Sequence, residues 1–234
     1  MKYGDETILH PMVMLVGPED ASEGASASPW VSLADYRDAI IWIMVGDLAG
    51  ATSAVTLDQA TDSSGTGSKT LSFTKYYKNG QRLFFTGRSA ANFQVDETVT
   101  GGTSGLTATV IRVSSDHLVV APLTGGTTWT TTETLTGGTS GATASANGTG
   151  QDEDIPVEMT AGSDTFNTLA VTFKWYAIPI NSSMLDVAGG FDHVQLDMGD
   201  AAASETQVCA ILIPGAPRQS TYQAVSTVST QKFA

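Results

Sequence analysis

The chain has one cysteine, three histidines and only eleven lysine and arginine residues among 234. Each scarcity removes a class of explanation. The single thiol, Cys209, lies in the apolar run Val208-Cys209-Ala210-Ile211-Leu212-Ile213. It can form no internal disulfide and reads as a small buried hydrophobe, so the fold has to stand without covalent staples. His10, His117 and His193 are far apart in the chain, whereas a metal or acid–base centre needs several converging groups. Asp116 and Asp192 stand beside two of them, but neighbours on a strand point to opposite faces, so neither pair is expected to make a local couple. Against the cations stand 24 acids, a formal charge of -13. Such a surface repels phosphate backbones and anionic lipid, so nucleic acid and membrane are poor partners and a basic or neutral protein surface a better one. No window approaches the roughly 18 uninterrupted apolar residues that span a bilayer. The charged start Met1-Lys2-Tyr3-Gly4-Asp5-Glu6, with His10-Pro11 close behind, lacks the pattern of a secretory signal. A soluble protein made in a cytoplasm is the expectation.

What is present is a phrase said twice. Glu97 to Ala108 reads E-T-V-T-G-G-T-S-G-L-T-A, and 36 residues later Glu133 to Ala144 reads E-T-L-T-G-G-T-S-G-A-T-A. Each copy joins a short β-branched run to a Gly-rich turn and a second alternating run, the signature of a β-hairpin built twice. Neither copy carries a His, Cys or Lys for chemistry. Gly, Thr, Ser and Ala are abundant while only 15% of residues are charged and 41% are hydrophobic, a composition of β-sheet surfaces joined by tight turns over a real core.

Heavier apolar strands flank the repeats. Ile40-Ile41-Trp42-Ile43-Met44-Val45 is a continuous run suited to a strand covered on both faces, and Ala54 to Ala60 alternates. Tyr76-Tyr77-Lys78 and Gln81 to Phe85 flank Asn79-Gly80, which predicts a hairpin because both residues tolerate positive φ. Further strands are predicted at 155–159, 169–178, 193–198 and 208–213. No long helix is convincing; 32–38 and 182–187 are the best short candidates. The pattern predicts an all-β fold with a nested layout: an N-terminal arm (1–29), a jelly-roll-like antiparallel β-sandwich (30–86 plus 152–215), an inserted β-hairpin repeat module (87–151) and a C-terminal arm (216–234). Insertion at an exposed hairpin tip is a tolerated event.

Several motifs have plain readings. Gly65-Thr66-Gly67-Ser68-Lys69-Thr70 evokes a phosphate loop but lacks Gly before the Lys and leads into a strand, so an inter-strand loop is expected. The acidic stretches 151–154 and 197–200 offer oxygens of the kind calcium takes, but neither has ligands at fixed alternate positions, and solvated loops are expected. Lys75 to Arg82 interleaves cations and aromatics as single-strand nucleic-acid platforms do; an exposed hairpin, or one facing an acidic protein, fits the acidic chain better. No nucleophile elbow or Cys/His pair is visible, and no residue is assigned a catalytic, cofactor-binding or metal role. No enzyme and no cofactor are expected.

The segments Trp30 to Arg37, Val55 to Leu71, Phe191 to Asp197 and Ile211 to Arg218 resemble a group of tailed-bacteriophage virion proteins, and the repeat is similar to segments of phage tail, spike and head-surface proteins. The resemblance implies a jelly-roll on the virion exterior, a homotrimeric decoration (cement) protein that binds the major capsid protein and stabilises the head. Flexible termini would suit clasping of neighbours by strand addition. Two rivals stand beside it. A tail or head-fibre receptor-binding protein would contact host glycans through the Thr/Gly-rich module and Trp129, an aromatic able to stack on a sugar ring, although a hydrophobic plug is the commoner role. A glycan-degrading enzyme needs two converging carboxylates, and no two can be placed together.

Overall fold

The computed structural model describes residues 12–20, 25–46, 52–124, 128–162, 164–168, 174–200 and 207–215. These form two compact units, Met1–Tyr77 with Met159–Ala234, and Lys78–Glu158.

The first unit is a sandwich of two antiparallel sheets. One contains β1 (Val13–Asp20), β17 (Gln207–Pro214), β4 (Asp38–Val45) and β15 (Lys174–Asn181) in that spatial order. The other contains β14 (Thr165–Asn167), β5 (Ala54–Ala60) and β16 (His193–Met198), with the short β2 (Ser26–Ala27) and β3 (Val31–Ser32) both on β16 and β6 (Lys69–Thr70) on β5. Counting β2 and β3 as one broken strand and leaving aside β6, the sandwich has eight strands in chain order. The first pairs the eighth, the second the seventh, the third the sixth and the fourth the fifth. That is one long antiparallel hairpin rolled so that its pairs alternate between two sheets, the jelly-roll. The predicted fold class holds. The second unit is inserted in the chain between β5 and β14, the fourth and fifth strands of this hairpin.

Alternation explains why the strands face as they do. Ile41, Ile43 and Val45 of β4, Tyr176 and Ile178 of β15 and Val208, Ala210 and Leu212 of β17 are buried in one cluster with Val55, Leu57, Val194, Leu196 and Met198 of the opposite sheet. Tyr76 stacks on Phe166 with ring centroids 3.9 Å apart, and Phe73 meets Phe166 edge-on at 6.2 Å, geometries that add to simple burial.

The second unit is a barrel. The first part of β7 (Lys75–Thr86) belongs to the sandwich unit; from Lys78 it joins β8 (Thr98–Gly101), β9 (Thr107–Val113), β10 (His117–Thr124), β11 (Thr134–Gly137) and β12 (Thr143–Ala146). The pairings run β7-β10-β9-β8-β11-β12 and return to β7 through Ser145 opposite Thr86 and Ala146 opposite Phe85. Six antiparallel strands close on themselves, which abolishes free edges. Leu83, Phe85, Phe93, Val99, Val110, Leu118, Trp129 and Leu135 fill the interior. β13 (Gln151–Thr160) pairs with β7 and leads back to the sandwich unit.

Several expectations are corrected. The stretch read as an N-terminal arm contains β1 and β2, strands of the sandwich; residues 1–11 and the expected C-terminal arm, 216–234, lie outside the described residues. The inserted unit is wider than 87–151, because β7 and β13 are long strands whose far ends already serve the barrel. Asn79-Gly80 makes no hairpin: β7 runs straight through it, and neither residue has a positive φ. A Cβ on Gly80 would lie 3.0 Å from Val157 Cγ2 and 3.3 Å from the Val120 carbonyl oxygen, so the glycine serves a close approach of neighbours. Of the two helix candidates, 182–187 yields a turn followed by the 3-10 turn Val187–Gly189, and 32–38 a turn. Acidic residues 151–154 belong to β13.

A further correction concerns β4, expected to be covered on both faces. Its inward side chains are buried, but Ile40 and Met44 are each 43% exposed and Trp42 is half-buried. The outward residues of the flanking strands are equally apolar: Trp175, Ala177 and Pro179 on β15, Cys209, Ile211 and Ile213 on β17. Cys209 therefore lies half-buried on this outer face, outside the core where its apolar run suggested it would be.

Candidate functional site

The repeated phrase folds twice into the same object. β8 and β9 form one hairpin, β11 and β12 the other. β8 and β11 lie side by side with Thr100 opposite Thr136, and these are equivalent positions of the two copies. An antiparallel pair centred on equivalent residues has a local two-fold axis, and the remaining contacts obey it. Gly102 N–H donates to the Thr134 carbonyl at 2.9 Å and Gly138 N–H to that of Thr98 at 2.8 Å. Asp96 and Thr132 both sit at φ 67. Phe93 and Trp129, again 36 apart, are both buried in the barrel core. The repeat is thus longer than the phrase and begins at the aromatic.

The axis brings the head of each copy to the turn of the other. The Glu133 carboxylate accepts hydrogen bonds from the N–H groups of Thr103 at 3.0 Å and Ser104 at 2.9 Å, from Ser104 Oγ at 3.0 Å and from Thr130 N–H at 2.7 Å. Glu97 accepts from Thr139 N–H at 3.1 Å, Ser140 N–H at 2.8 Å, Ser140 Oγ at 2.9 Å and Gln94 N–H at 2.7 Å. Ser104 Oγ and Ser140 Oγ in turn accept from Leu106 and Ala142 N–H. Both carboxylates are buried, Glu97 to 4% and Glu133 to 3% exposure. Gly101 and Gly137 make room for them, since a Cβ would lie 2.5 Å from Glu133 Oε2 or 2.6 Å from Glu97 Oε1.

A carboxylate has about four lone-pair positions, and each of these is engaged by protein donors. The pair is a reciprocal clasp that binds turn amides. Burial pushes each carboxyl upward, but for Glu97 the bonds from Ser140, Gln94 and Thr139 outweigh it, as do those from Ser104, Thr130 and Thr103 for Glu133; both are held below the ordinary glutamate value. A carboxyl depressed in the folded state contributes stability that is present above its unfolded pKa and lost as pH falls through the folded one. We therefore expect the barrel's thermal midpoint to be flat near neutrality and to drop with acidification below about pH 4.3, the ordinary glutamate value. Near-UV circular dichroism melts across pH test this, and in Glu97→Gln/Glu133→Gln protein the slope should be reduced to what remains from Asp116, which its hydrogen bond with His117 also holds low.

Other singled-out residues are placed as follows. Trp129 is 1% exposed and its Nε1 donates to Gln81 Oε1 at 3.3 Å, so it plugs the barrel and offers no face to a sugar. The two Asp–His pairs do couple, against expectation: His117 Nδ1 lies 2.8 Å from Asp116 Oδ1 and His193 Nδ1 2.6 Å from Asp192 Oδ1. Each Asp directly precedes its strand, so the alternation of side chains does not yet apply. In the Gly65–Lys69 loop Asp62 Oδ1 accepts from Ser64 and Thr66 N–H. Lys69 Nζ bonds Asp186 Oδ2 at 2.6 Å and sits 4.0 Å over the Phe191 ring, which binds the loop internally. The Lys75–Arg82 segment is a strand with Tyr76 in the sandwich core and Lys78 buried, no stacking platform. Among the described residues no three of His, Cys, Asp and Glu gather into a metal-holding group.

Sequence reading missed the clasp because it looked for reactive side chains; the available signal was a glutamate heading both copies at the same step as the Gly-Thr-Ser turn. It also missed a hydroxyl row. Thr107, Thr100, Thr136 and Thr143 are opposed in register across β9, β8, β11 and β12, and they alternate with the inward Ala108, Val99, Leu135 and Ala144. No family model, curated protein or solved structure matches the chain.

Proposed function

We propose that the chain is a structural protein of a tailed-phage virion, a decoration protein that seats on the outer capsid surface, contacts the major capsid protein and stabilises the head. The observation that carries this reading is the use to which the repeat's acids are put. The two carboxylates brought to equivalent positions are consumed in tying turns together, in a small barrel inserted in the chain between the fourth and fifth strands of a jelly-roll. Such a molecule works by shape, through many weak contacts repeated over a lattice. Fold alone assigns no function, so binding decides. Purified protein added to capsids stripped of accessory proteins should saturate at a fixed ratio to the major capsid protein and raise the capsids' disruption temperature. A virion holding only a handful of copies, or no saturable capsid binding, sinks the reading.

The receptor-binding alternative loses Trp129 and keeps one observation, the charge-free threonine row on the barrel's outer surface. Hydroxyls in register can exchange hydrogen bonds with a polyhydroxyl ligand. A glycan-array signal abolished by Thr100→Val/Thr136→Val would favour it over the capsid reading.

A further inference from the structure

Between the Asp38–Asn181 pair at one end and Gln207 at the other, the outward positions of β4, β15 and β17 carry only apolar side chains and a thiol, where an ordinary sandwich would be polar. Ile211, Trp42 and Ala177 stand in one row across three strands, and Met14, 60% exposed, continues it on β1. Trp42 and Trp175 stack with centroids 4.6 Å apart. Three rows on four strands span roughly 400 Å² in projection at the spacings of a sheet, and accessible area is larger. That is the size of the largest apolar patch on a typical monomer, which is often a functional one, and two such patches together approach the ~1,200 Å² at which specific interfaces begin.

We propose that this face is a self-association surface on which a second copy of the chain seats, sheet against sheet. Three observations select that occupant. It is an open apolar sheet face, and such faces pack against one another. Its three central rows carry no charge in a chain of net charge -13, so these rows of two copies meet without opposing acids. Its two ends also complement each other. At one end Met44 protrudes; at the other a cleft of about 490 Å³ opens beside Ile40, its apolar lining of Pro179, Ile213, Phe73 and Met184 bordered by Asp38 and Lys75. Rotation about an axis lying in the face and crossing the strands places Met44 of each copy over the cleft of the other, the self-complementarity a two-fold contact requires. The result is a dimer, where the phage resemblance implies a trimer. The inference stands apart from the virion reading, since it concerns the free protein.

Sedimentation of the full chain from about 1 to about 100 µM, the range of moderate affinities, is the test. Wild type should pass from the mass of one chain to that of two. Met44→Glu and Ile40→Lys, both at exposed positions and so expected to leave the circular dichroism spectrum and melt unchanged, should stay monomeric, with a dissociation constant raised at least about 100-fold by a charge buried without a partner. A wild type monomeric throughout overturns the proposal, as does an oligomer of any order that survives both substitutions. Association that arises only after residues 219–234 are removed also overturns it, since the chain's own end would then be the occupant.

Discussion

Glu133→Ala lowers the stability of the barrel by about 3 kcal/mol, and Glu97→Ala does the same. Each substitution orphans three backbone N–H groups and a hydroxyl at a buried position, and a buried donor left without a partner costs ~1–3 kcal/mol. The exposed rims of the turns let water recover part of this, which keeps the total well below four separate losses. Glutamine is no rescue, because its amide nitrogen replaces one acceptor oxygen and faces donors. The clasp makes a sharper statement when tested in pairs. Gly101→Ala places a methyl group within 2.5 Å of where Glu133 Oε2 lies and expels the same carboxylate. Glu133→Ala and Gly101→Ala together should therefore be little worse than the more damaging of the two alone, whereas Glu133→Ala and Glu97→Ala should add, having no donor in common. Denaturant melts give the energies, and amide exchange assigns them: Glu133→Ala should speed exchange at Thr103, Ser104 and Thr130 and leave Thr139 and Ser140 slow. Additivity in the first pair would refute the clasp.

Trp129→Ala costs the barrel 3–5 kcal/mol, the range for truncating a large buried aromatic. The side chain is among the largest fully buried ones described, and the loss has two parts. A cavity replaces the indole among Leu83, Leu118 and Leu135, and Gln81 Oε1 loses its donor. Gly150, at φ 85 and with room for no Cβ against Trp129 Cδ1 at 3.0 Å, shows that the backbone is fitted around the ring. Trp129→Phe keeps most of the volume and should lose about half as much. Intrinsic fluorescence and calorimetry check the outcome; the sandwich unit, whose core is a separate cluster, should keep its own transition. A Trp129→Ala protein as stable as wild type would mean the indole lies outside the core after all.

How much of this was legible beforehand depended on the range of the interaction. The alternation of Val55, Leu57 and of Val194, Leu196, Met198 announced half-buried strands, and the doubled phrase announced doubled hairpins, because side-chain periodicity and turn chemistry are local. Asn79-Gly80 announced a turn equally clearly and was overruled: Val157 and Val120 close in on Gly80, and packing against residues some forty and more positions away outweighs a local preference. The His–Asp pairs misled for a smaller reason: each Asp stands just before the first residue of its strand, where the alternation of side chains does not yet hold.

From the sequence alone came the all-β class, the two heavy strand groups around a lighter insert, and the period of 36. The identity of partners came only from the tertiary structure. That Glu97 serves Ser140 and Glu133 serves Ser104 depends on β8 lying beside β11 with Thr100 opposite Thr136, and that the apolar run of β4 leaves one side open depends on which sheet it joins. Strand pairing between distant segments is selected by the summed burial and hydrogen bonding of the whole chain, and no window short enough to show a pattern contains both members of such a pair.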